Sequence, residues 1–193
     1  SALEARIPQN CAKRIETKEL AWSDDWLRAG IKPGSYDIAL ASRSIITSDM
    51  EDALKKLNEV AQRRVCITVT TGMSPRLDGR MLTDIGIVPH KHNDALYAFG
   101  IASELGYFPQ VSYITSYKNE VFDSEETALK KYQDMLEIAQ VTLTKEQRKR
   151  AEKAIAAWVK KHLKKVAEGW ELDEPRKVIW ACLLYTSDAA DDL

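Results

Sequence analysis

Three short stretches of this chain bring together side chains that can do chemistry. The first is Ala21-Trp22-Ser23-Asp24-Asp25-Trp26. A flat indole such as Trp22 can stack on a planar base, and a carboxylate such as Asp24 can accept from an exocyclic amine. The same two residues read equally as a core plug and a helix cap. The second stretch is Ser42-Arg43-Ser44, a cation between two hydroxyls directly after an apolar run. Arg43 cannot continue a core there, so it is solvated, paired or turned towards a ligand, while Ser42 or Ser44 can cap the next turn. The third is Thr71-Gly72-Met73-Ser74-Pro75-Arg76. His90-Lys91-His92 lacks the carboxylate or cysteine cluster of a metal site and reads as a solvated loop, so no metal is expected. Cys66 lies inside an apolar run and reads as a core residue. No stretch has the pattern of a nucleophile elbow or a phosphate loop.

The elements that must position these stretches alternate between strand and helix. Arg14 to Lys18 is a weak strand candidate. Tyr36-Asp37-Ile38-Ala39-Leu40-Ala41 is a continuous apolar run, as in a strand buried on both faces. Ser48 with Glu51 forms a capping box for a helix whose stripe is Met50, Ala53, Leu54, Leu57, Val60 and Ala61. Val65 to Thr70 is the next buried strand, ended by Gly72. Strand, helix and strand at this spacing form a βαβ unit with a parallel sheet. A polar loop with Pro75 and Gly79 follows. A helix is predicted over 93–105, an alternating strand over 111–117, and a helix from Ser124 with Ala128, Leu129, Tyr132, Met135 and Leu136 inward. Thr144 and Gln147 open a long helix, with Leu163 and Val166 still on its inner face and Gly169 at its end. A last strand spans 177–181. In an open parallel sheet ligands bind beyond the carboxyl ends of the strands, and that rule selects the same three stretches.

Composition bounds the function. The 193 residues suit one domain, with 28 Lys and Arg against 29 Asp and Glu. The near-neutral balance removes the global electrostatic case for a nucleic-acid binder. Between Lys145 and Lys165 there are nine Lys or Arg and two Glu, but aromatics do not alternate with the basic residues as a base-stacking platform needs, so this helix reads as a solvated amphipathic face. No apolar run is long enough for a membrane span, and the three cysteines, Cys11, Cys66 and Cys182, are too few and scattered for a disulfide framework. A cytoplasmic setting with no membrane partner is expected.

The strand over 36–41 followed by Ser42-Arg43-Ser44 resembles the fourth-strand motif of class I S-adenosylmethionine-dependent methyltransferases. With Ala21-Trp22-Ser23-Asp24 upstream, Arg64-Val65-Cys66-Ile67-Thr68 downstream and the closing Val178-Ile179-Trp180-Ala181, the chain is similar to a bacterial and archaeal group of methyltransferase-like proteins. The resemblance covers most of residues 1–181. It implies an α/β fold, a Rossmann-like sheet with helices on both faces and a final antiparallel strand. It implies S-adenosylmethionine as cofactor, with Trp22 and Asp24 near the adenine and Ser42 and Arg43 near the methyl donor. The family's first strand, glycine loop and ribose-binding acid would fall before Ser1, since the first glycine is Gly30. Residues 1–181 are therefore expected to be a partial methyltransferase domain holding the substrate half of the crevice, inactive alone. No catalytic residue and no methyl acceptor are identified. A non-catalytic binding or scaffold protein of the same fold, or another Rossmann-type enzyme such as a nicotinamide-dependent one, are the rival expectations. Residues 182–192 resemble the translation of a transposase-type sequencing adapter, so 182–193 is expected to be a non-native tail outside the fold. Without its three aspartates the net charge moves from -1 to +2.

Overall fold

The computed structural model describes residues 8, 12–45, 47–89 and 93–186. Its main sheet is built from β1 (Tyr36–Ser42), β2 (Ala61–Thr70), β3 (Gln110–Lys118) and β7 (Arg176–Thr186), in the order β1-β2-β7-β3. β1 and β2 run parallel, and β7 runs antiparallel to both β2 and β3. Three strands therefore point one way and the last strand points the other. The fold is a Rossmann-like mixed α/β sheet.

The βαβ unit forms because its helix has one apolar face. In α1 (Met50–Val60), Ala53, Leu54, Leu57 and Val60 are buried, at the three- and four-residue spacing that puts them on one side. Asp49, rather than Ser48, is the N-cap; its Oδ1 accepts from the Asp52 amide at 2.9 Å. With Asp49 at the N-cap, the third helical residue is Asp52 and not Glu51, so the Ser48–Glu51 box is not used. α3 (Asp94–Glu104) packs beside α1 through Ala98 and Ala102, with Asn93 as its cap. Together they cover one face of the sheet, where Ala39, Val65, Ile67, Val69, Ala181, Leu183 and Tyr185 form the first core.

The opposite face differs from expectation. β1 was expected to be buried on both sides, yet Ile38 and Leu40 are 60% and 65% exposed. They point away from α1 and α3, and among the described residues nothing packs over them. Cys66 lies on this face, between Leu40 on one side and Leu184 on the other. Burial, followed by the neighbouring Cys182, pushes its thiol pKa up.

A second core lies beyond β2. It is formed by α2 (Gly79–Asp84), α4 (Glu125–Ile138), α5 (Lys145–His162) and the small antiparallel sheet β4-β6-β5, where β4 is Val121–Phe122, β5 Leu163–Val166 and β6 Gly169–Leu172. The Thr144–Gln147 capping box and the Ser124 cap are as predicted. Two expectations fail here. Arg14 to Lys18 is not a strand; a 3-10 turn over Ala12–Arg14 precedes irregular chain. The long helix stops at His162 instead of reaching Gly169, and the chain turns into the β5–β6 hairpin. In the hairpin Leu163, Trp170 and Leu172 pack on the second core, which a straight helix would carry away from it. α2, within the expected loop, was missed because six residues give no readable period.

Gly169 is required by the hairpin. Its φ is +142°, and an added Cβ would collide with the Phe122 carbonyl oxygen of β4. Gly169→Ala is expected to destabilise the protein by more than about 1 kcal/mol, read as a lower urea midpoint. An unchanged midpoint would show that the hairpin accommodates a Cβ at this position.

β7 also runs further than the sequence indicates. The strand does not stop at Ala181; it continues to Thr186, with Leu183 and Tyr185 buried and paired across to Ile67 and Val65. The boundary placed after residue 181 therefore cuts through a strand, and 182–186 take part in the fold. Residues 187–193, the rest of the expected tail, lie outside the described residues, as do Cys11, His90, Lys91 and His92.

Candidate functional site

The carboxyl end of β1 fixes the site. Ser42 ends the strand and Arg43 takes φ +58°, a left-handed backbone that non-glycine residues seldom adopt. Its amide still donates to the Thr68 carbonyl of β2 at 3.0 Å, so the sheet holds the strained turn in place. The guanidinium lies over the Trp180 ring, 4.1 Å from its centre, a cation–π contact. Trp180 is buried and donates its indole N–H to Ser116 Oγ at 2.9 Å. Neighbouring strands β2, β7 and β3 thus aim one arginine.

This arginine borders a cavity of about 550 Å³. Thr68 and Thr70 from β2 form one side, Ser74 to Leu77 another, and Ile138 and Gln140 from the end of α4 close over them. α4 in this way reaches the sheet face opposite α1 and α3. Asp94, the first residue of α3, also lines the cavity, and its Oδ2 accepts from the Thr70 hydroxyl at 2.9 Å. The volume falls in the range of small-molecule pockets.

The four residues singled out as cofactor contacts lie at this end of the sheet but divide into two groups. Trp22 donates its indole N–H to the Ser44 carbonyl at 2.8 Å, which joins the first stretch to the second. Its ring packs 5.4 Å from Trp26 and against the first core. Asp24 Oδ2 accepts from the Ala21 amide at 2.8 Å, closing its own turn. Lys56 of α1 donates to the Trp22 and Asp24 carbonyls and clamps the turn onto the helix. Ser42 is exposed at the strand end. Only Arg43 lines the cavity, together with Arg76 of the third stretch. Sequence reasoning missed Thr70, Asp94, Gln140 and Trp180. Only Asp94 has a local signal, at the start of a capped helix. Trp180 reads simply as one more apolar residue of a strand.

Beside this cavity lies a buried ionic cluster. Asp78 is 1% exposed and receives the Arg80 guanidinium at 2.8 and 3.1 Å, with the Tyr132 hydroxyl at 3.5 Å. Burial, and then Asp78, push the Tyr132 phenol well above its ordinary pKa; the hydrogen bond to Asp78 raises that of Arg80. Neither group changes charge near neutrality. Arg176 of β7 is buried and donates to the Leu77 carbonyl. The cluster ties the 74–80 loop to the sheet and so holds the cavity wall. Among the described residues no group of three or more His, Cys, Asp or Glu is placed to hold a metal ion, and no helix is long and apolar enough to cross a membrane.

No family model matches the sequence, and no curated protein matches it. Among solved structures, the chain is similar in fold to a protein of Bacillus halodurans described as a "putative methyltransferase", with 8% identity and a TM-score of 0.40, over 82% of this chain and 67% of that one. A likeness at that distance leaves function to be argued from the site.

Proposed function

We propose that these residues form the acceptor-side part of an S-adenosylmethionine-dependent methyltransferase. The observation that carries the reading is the strand order β1-β2-β7-β3 with β7 alone antiparallel, combined with a small-molecule cavity at the carboxyl ends of β1 and β2. A final antiparallel strand and a crevice at the strand ends are what the resemblance of the sequence implies.

The residues at the rim fit the cofactor in part. The turn of Trp22 and Asp24 sits against Ser44, and Asp24 Oδ1 has no hydrogen-bond partner among the described residues. It can accept from an exocyclic amine, while Trp22 flanks the rim. Arg43 suits a different task. A guanidinium beside a sulfonium is repelled by it, so Arg43, turned onto Trp180, serves the acceptor side. The cofactor supplies an already activated methyl group; the protein's share is to hold the acceptor in line with it. Trp180 and Arg43 fix one wall, and the Ser74–Leu77 loop fixes the other. A base is required only for an acceptor that must lose a proton.

The reading is tested by titrating S-adenosylhomocysteine into the protein expressed from the complete reading frame that contains these residues. Saturable binding below millimolar concentration is expected, weakened about tenfold by Asp24→Asn. No binding at millimolar ligand would overturn it.

A further inference from the structure

We propose that the cavity between Arg43 and Arg76 binds the carboxylate of a small planar acid, and that the methyl acceptor is a compound of this class. Calling the ligand an acceptor rests on the methyltransferase reading; the anion site itself rests on the cavity.

Two cations line one small space, Arg43 and Arg76. Among the described residues neither side chain makes an ion pair or a hydrogen bond, and the one contact of Arg43 is the face of Trp180. Stacking occupies the face of a guanidinium and leaves its N–H donors free in the plane, in the fork that matches a carboxylate. The arginine is not loose. A left-handed backbone at residue 43 is retained against strain, as happens where surrounding structure over-determines a functional position. Arg76 is set by its own turn, in which Ser74 accepts from the Leu77 amide at 3.0 Å and its hydroxyl from the Arg76 amide at 3.3 Å.

The rest of the lining selects the kind of anion. Asp94 is the one carboxylate among the lining residues, and Thr70 already bonds it. Two positive charges against one negative leave a surplus that matches a monoanion better than a phosphate dianion. Ile45, Pro75, Leu77 and Ile138 add apolar wall beside Trp180, suited to the flat body of an aromatic acid rather than to a polar chain.

The test uses 4-hydroxybenzoate and its uncharged counterpart 4-hydroxybenzamide, titrated calorimetrically into the chain. The acid is expected to bind about tenfold more tightly than the amide, with the advantage shrinking in molar salt as the charges are screened. Arg43→Met and Arg76→Met should each reduce binding of the acid about tenfold and leave the amide unchanged, and Arg43→Lys and Arg76→Lys should restore part of it. Near-ultraviolet circular dichroism confirms that each variant keeps its packing; Arg76 is exposed, so its variants test the site even if those at 43 disturb the turn. Equal binding of acid and amide, no saturable binding of the acid at millimolar concentration, or indifference to both arginines overturns the proposal. Displacement of the acid by equimolar inorganic phosphate overturns the choice of a monoanion. Preference for the acid without binding of S-adenosylhomocysteine leaves the anion site and removes methyl transfer; the reverse leaves methyl transfer and removes this site.

Discussion

A chain cut after Ala181 is expected to lose its cooperative unfolding transition. The cut removes five of the seven residue pairs between β7 and β2, from Thr68↔Cys182 to Arg64↔Thr186, and three of the nine between β7 and β3. It also removes Leu183 and Tyr185, both inside the first core. Burying each such side chain contributes about 1.5–3 kcal/mol, and each lost ladder hydrogen bond about 1 kcal/mol more. Together these approach the whole of an ordinary domain's stability, about 5–15 kcal/mol. Leu183→Ala gives the graded version. Leu183 is fully buried, and the substitution should cost about 2–5 kcal/mol, depending on how far the neighbours close over the void. Thermal melts followed by circular dichroism check both. A cut chain that melts like the whole one would show that 182–186 contribute nothing to the sheet.

Asp78→Ala carries the second large effect, a loss of about 3–5 kcal/mol. The carboxylate does three things at once. It caps α2 by accepting from the Arg80 amide, it pairs with the Arg80 guanidinium, and it lies within reach of the Tyr132 hydroxyl. Removing it strands a phenol in the second core and leaves the arginine on its rim with only Glu174, whose carbonyl and carboxylate it reaches at 3.0 and 3.4 Å. The Arg80 side chain keeps about a third of its exposure, so water relieves part of that charge and the lower end of the range is expected. Asp78→Asn, which keeps the cap and loses the charge, should fall between wild type and alanine in urea midpoint. Because Asp78 also anchors the loop bearing Arg76, the alanine variant should weaken ligand binding at concentrations where it is still folded.

The elements that were legible in the sequence are those whose cause is local. The helix from Asn93 to Leu105 is announced by its own cap and by the Gly106 that follows, and the structure places it at Asp94–Glu104. The capping box of Thr144 and Gln147 is written in residues three apart. β3 alternates and was read within one residue at each end. The errors lie where a distant partner decides. Leu163 and Val166 continue a helical stripe, yet the second core, built largely from α4 and α5, takes up Leu163, Trp170 and Leu172 and so selects a hairpin there. Leu183 and Tyr185 fall within a segment that resembles an adapter, yet Ile67 and Val65 lie across from them. Ile38 and Leu40 have the composition of a doubly buried strand, and their exposure depends on what lies over that face, which composition cannot record.

By itself, then, the amino-acid sequence determined the alternation of strands and helices, most of the caps, and the end of β1 as a place where Arg43 must leave the core. Neighbouring side chains carry that information, through period and hydrogen bonds a few residues apart. Only the tertiary structure decided which strands adjoin, that β7 enters between β2 and β3, and that Trp180 meets Arg43 while Asp94 meets Thr70. Pairing across more than a hundred residues has no local signature, because the free energy that selects it comes from surfaces that meet only once the chain has folded.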